Sequence, residues 1–102
     1  MSIQKQYLKS RPACKITFRL PKEEVGDANQ VHLVGEFNHW EHNANQMKQL
    51  KDGTFKTVVE VNPGNEYQFR YLIDNDHWEN DAEADKYVHS PFPDAENSVV
   101  IV

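Results

Sequence analysis

Between Cys14 and Leu20 the side chains alternate without a break: Cys14, Ile16, Phe18 and Leu20 are apolar, while Lys15, Thr17 and Arg19 are polar. A period of two is the mark of a strand with one buried face. The pattern returns three times. Val31, Leu33, Gly35 and Phe37 alternate with His32, Val34 and Glu36, and a third stretch runs through Phe55, Thr57, Val59 and Val61. The strongest stretch has Tyr67, Phe69, Tyr71 and Ile73 on one face and Gln68, Arg70 and Leu72 on the other. Breakers separate these runs: Pro21, the Gly26-Asp27 region with Asn29, Asp52-Gly53, and Asn62-Pro63-Gly64. Met47 and Leu50 ahead of Asp52-Gly53 predict a short hairpin partner, and Val99 to Val102 predicts a closing strand. Helical periodicity is confined to Asn80–Lys86, where Ala, Glu and Asp predict a turn or two of helix. About seven short strands in 102 residues read as an all-β, immunoglobulin-like antiparallel sandwich. Residues 1–12 read as a polar, mobile N-terminal arm and residues 13–102 as the one domain.

That length leaves no room for a catalytic barrel of roughly 250 residues. Lys and Arg number 11 against 16 Asp and Glu, a net charge of -5. Neither nucleic acid nor a membrane is expected as a partner, because both present negative charge. No apolar run approaches the ~20 residues that cross a bilayer, and the first twelve residues carry Lys5, Lys9 and Arg11 without an apolar h-region. A cytoplasmic location is expected. Cys14 is the single cysteine, so no internal disulfide forms, and its place in the alternation reads as a buried small hydrophobe.

No metal or cofactor is expected. The five histidines, His32, His39, His42, His77 and His89, show no helical ligand pair and read as surface or turn residues. Six acids lie between Asp74 and Asp85, but counting from Asp74 places Glu79 and Asp85 where a calcium loop requires Gly and Glu. Hydrolysis of a glycoside needs two carboxylates held across a groove, and no spacing here supplies them.

Two tryptophans remain. Trp40 and Trp78 each follow a strand and sit among polar neighbours, in Phe37-Asn38-His39-Trp40 and Asn75-Asp76-His77-Trp78. They cap the ends of a sandwich core, or they present flat faces with an N–H edge, which suits a ligand apolar on one side and hydroxylated at its rim. A pyranose is such a ligand. Nine Asn and six Gln supply side chains that both donate and accept, as sugar hydroxyls require. Asn38, Asn75, Gln68, Arg70 and Asn97 are the polar candidates near the two indoles.

Taken together, Val31-His32-Leu33-Val34-Gly35-Glu36-Phe37-Asn38-His39-Trp40, Tyr67 to Asp74 and the following Trp78 resemble carbohydrate-binding module family 48. That family includes the early-set domains of isoamylases and glycogen branching enzymes and the glycogen-binding domain of the AMP-activated protein kinase beta subunit. The resemblance spans about residues 13–102. It implies that Trp40 and Trp78 stack on glucose rings while Arg70 and Asn97 make polar contacts. Asn75-Asp76-His77 replaces the family's Asp-Gly turn and is one residue longer. Phe92-Pro93-Asp94-Ala95-Glu96 stands where some members place further contacts, which are not carried over. Asp81 to Tyr87 and Pro91-Phe92 are similar to small stand-alone bacterial early-set proteins.

The resulting expectation is a non-catalytic α-glucan binding module, for glycogen, starch or a maltooligosaccharide, with Trp40, Trp78, Arg70, Asn97 and Asn38 at the site. The alternative is a protein-interaction module of the same fold that docks on a glucan-metabolising enzyme or a kinase-like partner. A hydrolase in its own right is the weakest reading, for want of a cleft and of a nucleophile and base motif.

Overall fold

The computed structural model describes residues 3–90 and 95–102; Pro91 to Asp94, singled out above, lie outside them. Among the described residues, nine strands form two antiparallel sheets. The first contains β1 (Ile3–Tyr7), β2 (Cys14–Leu20), β4 (Lys48–Gln49) and β5 (Phe55–Val61), in the order β1-β2-β5-β4. The second contains β3 (Val31–Gly35), β6 (Glu66–Ile73), β8 (Lys86–His89) and β9 (Glu96–Ile101), in the order β3-β6-β9-β8. A three-residue strand, β7 (His77–Glu79), pairs with the end of β6. One helical turn, α1 (Lys22–Val25), follows β2. The whole is an early-set, immunoglobulin-like sandwich.

The two-residue period explains the packing. Cys14, Ile16, Phe18 and Leu20 of β2 point inward and are buried, facing Val31, Leu33, Phe69, Tyr71 and Ile73 from the other sheet. At the centre, the Phe18 and Phe69 rings lie 5.0 Å apart and edge to face, and Phe69 meets Tyr71 at 5.8 Å in the same manner. Such pairs add about 0.5–1.5 kcal/mol to the area they bury. Cys14 is fully buried, and burial pushes its thiol above the ordinary value, with a Gln6 backbone contact and Lys5 acting the other way.

Four expectations need correction. His32, read with the other histidines as a surface or turn residue, is buried within β3. Ile3–Tyr7, read as part of a polar arm, pair with β2 in register from Ile3 opposite Phe18 to Tyr7 opposite Cys14. Lys5 ties this edge to the other sheet through a 2.7 Å ion pair with Asp85. Residues 80–86 are not helical. The Asp81 carboxylate instead accepts from the Glu83 N–H at 2.7 Å and from the Tyr71 hydroxyl at 2.6 Å, and the Asp81 N–H donates to Ser98 Oγ. An aspartate that bonds the backbone two residues on competes with a helix. Finally, the alternation through Phe37 overruns: β3 ends at Gly35 and Glu36–Asn38 form a 3₁₀ turn.

The register also defines the outer face of the second sheet. Val34 lies opposite Arg70, His32 and Trp78 flank Leu72, and Val99 lies opposite Gln68. Val34, Leu72 and Val99 are buried although they do not belong to the cluster between the sheets. They give this outer face an apolar floor.

Candidate aromatic groove

A groove of about 760 Å³ is lined by Trp40, His42, Gln68, Arg70, Trp78, Ser90 and Asn97. It lies over that outer face, on residues drawn from β6, β7, β9, the end of β8 and the loop after β3.

The loop carrying Trp40 is rigidly built. Gly35 is required by space, since a Cβ there would sit 2.6 Å from the Gln68 carbonyl oxygen and 2.8 Å from Phe69 Cβ. Past Gly35 the β3–β6 ladder ends, and the Glu36 carboxylate takes over by accepting from the Gln68 N–H at 2.7 Å. The Asn38 side chain then fastens the turn. Its oxygen accepts from the Gly35 N–H at 3.0 Å, and its amide group donates to the Leu33 carbonyl and to Asn45 Oδ1. His39 and Trp40 both have left-handed backbone, at φ 58° and 59°, a conformation that costs non-glycine residues energy. The Trp40 N–H donates back to the Gly35 carbonyl at 2.9 Å, and the indole is left 37% exposed.

Trp78 arrives from the opposite side. Asp74 and Asn75 have φ of 51° and 64°, and the Asp76 N–H donates to the Ile73 carbonyl, the geometry of a hairpin turn with two left-handed central residues. The turn is Asp74-Asn75-Asp76, and His77 already belongs to β7, opposite Ile73. Trp78 therefore falls opposite Leu72, on the outer face, and stays 36% exposed. Both tryptophans are thus partly exposed.

Between them runs a polar chain. Arg70 Nε donates to Asn97 Oδ1 at 2.6 Å, and the Asn97 amide donates to Gln68 Oε1 at 2.9 Å. Arg70 Nη2 is buried and has no hydrogen-bond partner among the described residues. An unpaired buried N–H of a charged group is costly.

Of the five residues singled out in the sequence, Trp40, Trp78, Arg70 and Asn97 line one groove. Asn38 stands behind it, its amide engaged within the loop. His42 and Ser90 were not foreseen. His42 meets Trp78 edge to face at 5.2 Å and 77°, a contact between a loop and a strand distant in sequence that no local pattern announces. No carboxylate is among the lining residues described, so the groove offers flat apolar faces, N–H donors and neutral amides.

A second cavity, about 210 Å³, lies near Arg19, Glu24, Thr54, Asp81 and Glu83. There burial raises the Glu24 carboxyl above its ordinary value, reinforced by Asp81, Glu79, Glu83 and Glu23. Among the described residues no group of three His, Cys, Asp or Glu side chains is placed to hold a metal. No helix among them is long and apolar enough to cross a membrane.

A sandwich that presents an aromatic groove with polar donors on the outside of one sheet has the build of a β-sandwich binding module. The profile of the family described as the glycogen recognition site of AMP-activated protein kinase matches residues 23–91, and the chain belongs to that family, within carbohydrate-binding module family 48. The family is one of non-catalytic binding modules. The matched span includes Trp40, Arg70 and Trp78 and stops short of Asn97. A comparison with curated proteins finds no match.

Proposed function

We propose that the groove binds an α-glucan chain such as glycogen or a maltooligosaccharide, with Trp40 and Trp78 stacking on glucose rings and Arg70, Asn97 and Gln68 bonding hydroxyls between them. The observation that carries this reading is the convergence of two partly exposed tryptophans, one from the loop after β3 and one from β7, on one groove beside Arg70, Asn97 and Gln68. The faces of a pyranose match the indoles, and its hydroxyls both donate and accept, as the Asn97 and Gln68 amides do. Membership of a glycogen recognition family supports the same ligand class. The activity is binding without turnover, since a pair of carboxylates across the groove is what hydrolysis needs and the described lining offers none.

Glucose polymers carry no charge, so affinity comes from stacking and hydrogen bonds and stays nearly constant with ionic strength. Titrating maltoheptaose while following tryptophan fluorescence at low and at high salt tests this. Saturable change with matching midpoints at both salts is the expected result. Absence of any response to maltoheptaose removes the reading.

A further inference from the structure

On the reading that the groove holds an α-glucan, we propose that His42 is a positioning residue that clamps the Trp78 indole to the Trp40 loop, making the groove selective for chains long enough to touch both indoles. Trp78 sits on a strand of three residues that pairs, among the described residues, with β6 alone. The residue is more than a third exposed and does not belong to the core cluster. Among the described ring contacts, the only one made by Trp78 is with His42, at 5.2 Å and 77°. That edge-to-face arrangement is the favoured one for two aromatic rings.

The other end of the clamp is firm. His42 lies two residues after Trp40 in the loop fastened by Asn38, and the Glu41 N–H donates to the Asn38 carbonyl while the Ala44 N–H donates to the Glu41 carbonyl. The loop returns to β3 through the bond from the Leu33 N–H to the Asn45 carbonyl at 2.8 Å. Trp40 and His42 thus ride on one braced segment, and His42 transmits its position to Trp78. A ligand reaching a single indole does not sense the span between them. One that bridges both requires the two planes in fixed relation, and an unclamped Trp78 must be ordered at the moment of binding.

The test compares His42→Ala and His42→Phe with the wild type in titrations of maltose and maltoheptaose. His42→Ala is expected to weaken maltoheptaose about two- to tenfold, the worth of one aromatic pair, and to weaken maltose less; His42→Phe restores the longer ligand. A second, ligand-free measurement uses the Trp40→Phe background, where Trp78 is the sole indole of the two in the chain. There His42→Ala is expected to increase acrylamide quenching of Trp78. Unchanged maltoheptaose affinity in His42→Ala overturns the proposal, as does equal loss for both sugars with a lowered melting temperature. If the wild type binds neither sugar, the glucan reading falls and the selectivity with it, and unchanged quenching would overturn the clamp as well.

Discussion

Arg70 and Asn97 stand side by side on neighbouring strands, with Arg70 Nε donating to Asn97 Oδ1 at 2.6 Å. This bond fixes the plane of the guanidinium. Asn97 is in turn held by Gln68 through its amide at 2.9 Å, so the arginine is braced by the sheet, while its buried Nη2 has no partner among the described residues. Arg70→Ala is expected to weaken maltoheptaose by about 1.5–3 kcal/mol, the range for hydrogen bonds to charged groups. Arg70→Lys recovers only part of this loss, because an ammonium lacks the fork that bonds Asn97 and a ligand together. Calorimetric titration of the two variants measures both effects.

Trp78 reaches the groove through its register. A strand shifted by one residue turns every side chain to the opposite face, and the Asp74-Asn75-Asp76 turn sets Trp78 opposite Leu72. Deleting Asn75 is expected to abolish binding of maltoheptaose while the β2–β5 pairing and the core survive. Loss of the fluorescence response, with a retained cooperative melt, is the expected pair of results.

The strongly alternating strands β2, β5 and β6 were legible in the sequence because each buries one face against the core. β1, β7 and β8 were not: Gln4-Lys5-Gln6 carries no apolar signal, and three- or four-residue edges such as His77–Glu79 hold by pairing with a longer neighbour. The end of β3 was overrun because Phe37 keeps the apolar period, although Gly35 and the Asn38 bonds turn the chain there. At the groove, Trp40 and Trp78 were legible as large apolar residues in polar surroundings. His42 was not, since its contact exists only once the loop after β3 has met β7.

Cation crowding on the first sheet gives a prediction about stability. Arg19, Lys56 and Lys48 lie in one cross-strand row over β2, β5 and β4, and none of the three forms an ion pair among the described residues. Like charges directly opposite destabilise a sheet, and opposite charges contribute roughly 0.2–1 kcal/mol per pair. Lys56→Glu faces both neighbours with the opposite sign and is expected to stabilise the domain by about 1 kcal/mol at low salt. Urea melts at two ionic strengths check the gain and its decline on screening.

Acid sensitivity follows from Asp85. Burial by itself raises this carboxyl, but the Lys5 ammonium and the Ile101 N–H outweigh it and hold the group below its ordinary value of 3.8. A depressed carboxyl contributes stability that is present above the unfolded-state value and is lost as pH falls through the folded one. The Lys5–Asp85 tie between the sheet edges therefore weakens below about pH 4. Lys5→Met is expected to lower the melting temperature at neutral pH and to flatten its fall across that acid range, read by thermal melts from pH 2 to 7.

Glycogen retention on a native gel tests the glucan reading most directly. Wild-type protein is expected to be retarded in a gel containing glycogen relative to one without, and the Trp40→Ala/Trp78→Ala double variant to run alike in both. Because the two indoles are partly exposed, that variant should keep a cooperative melt, unlike Phe18→Ala, whose ring is fully buried and costs about 3–5 kcal/mol to remove. Wild-type migration unaffected by glycogen, or undiminished retardation of the folded double variant, would contradict the account.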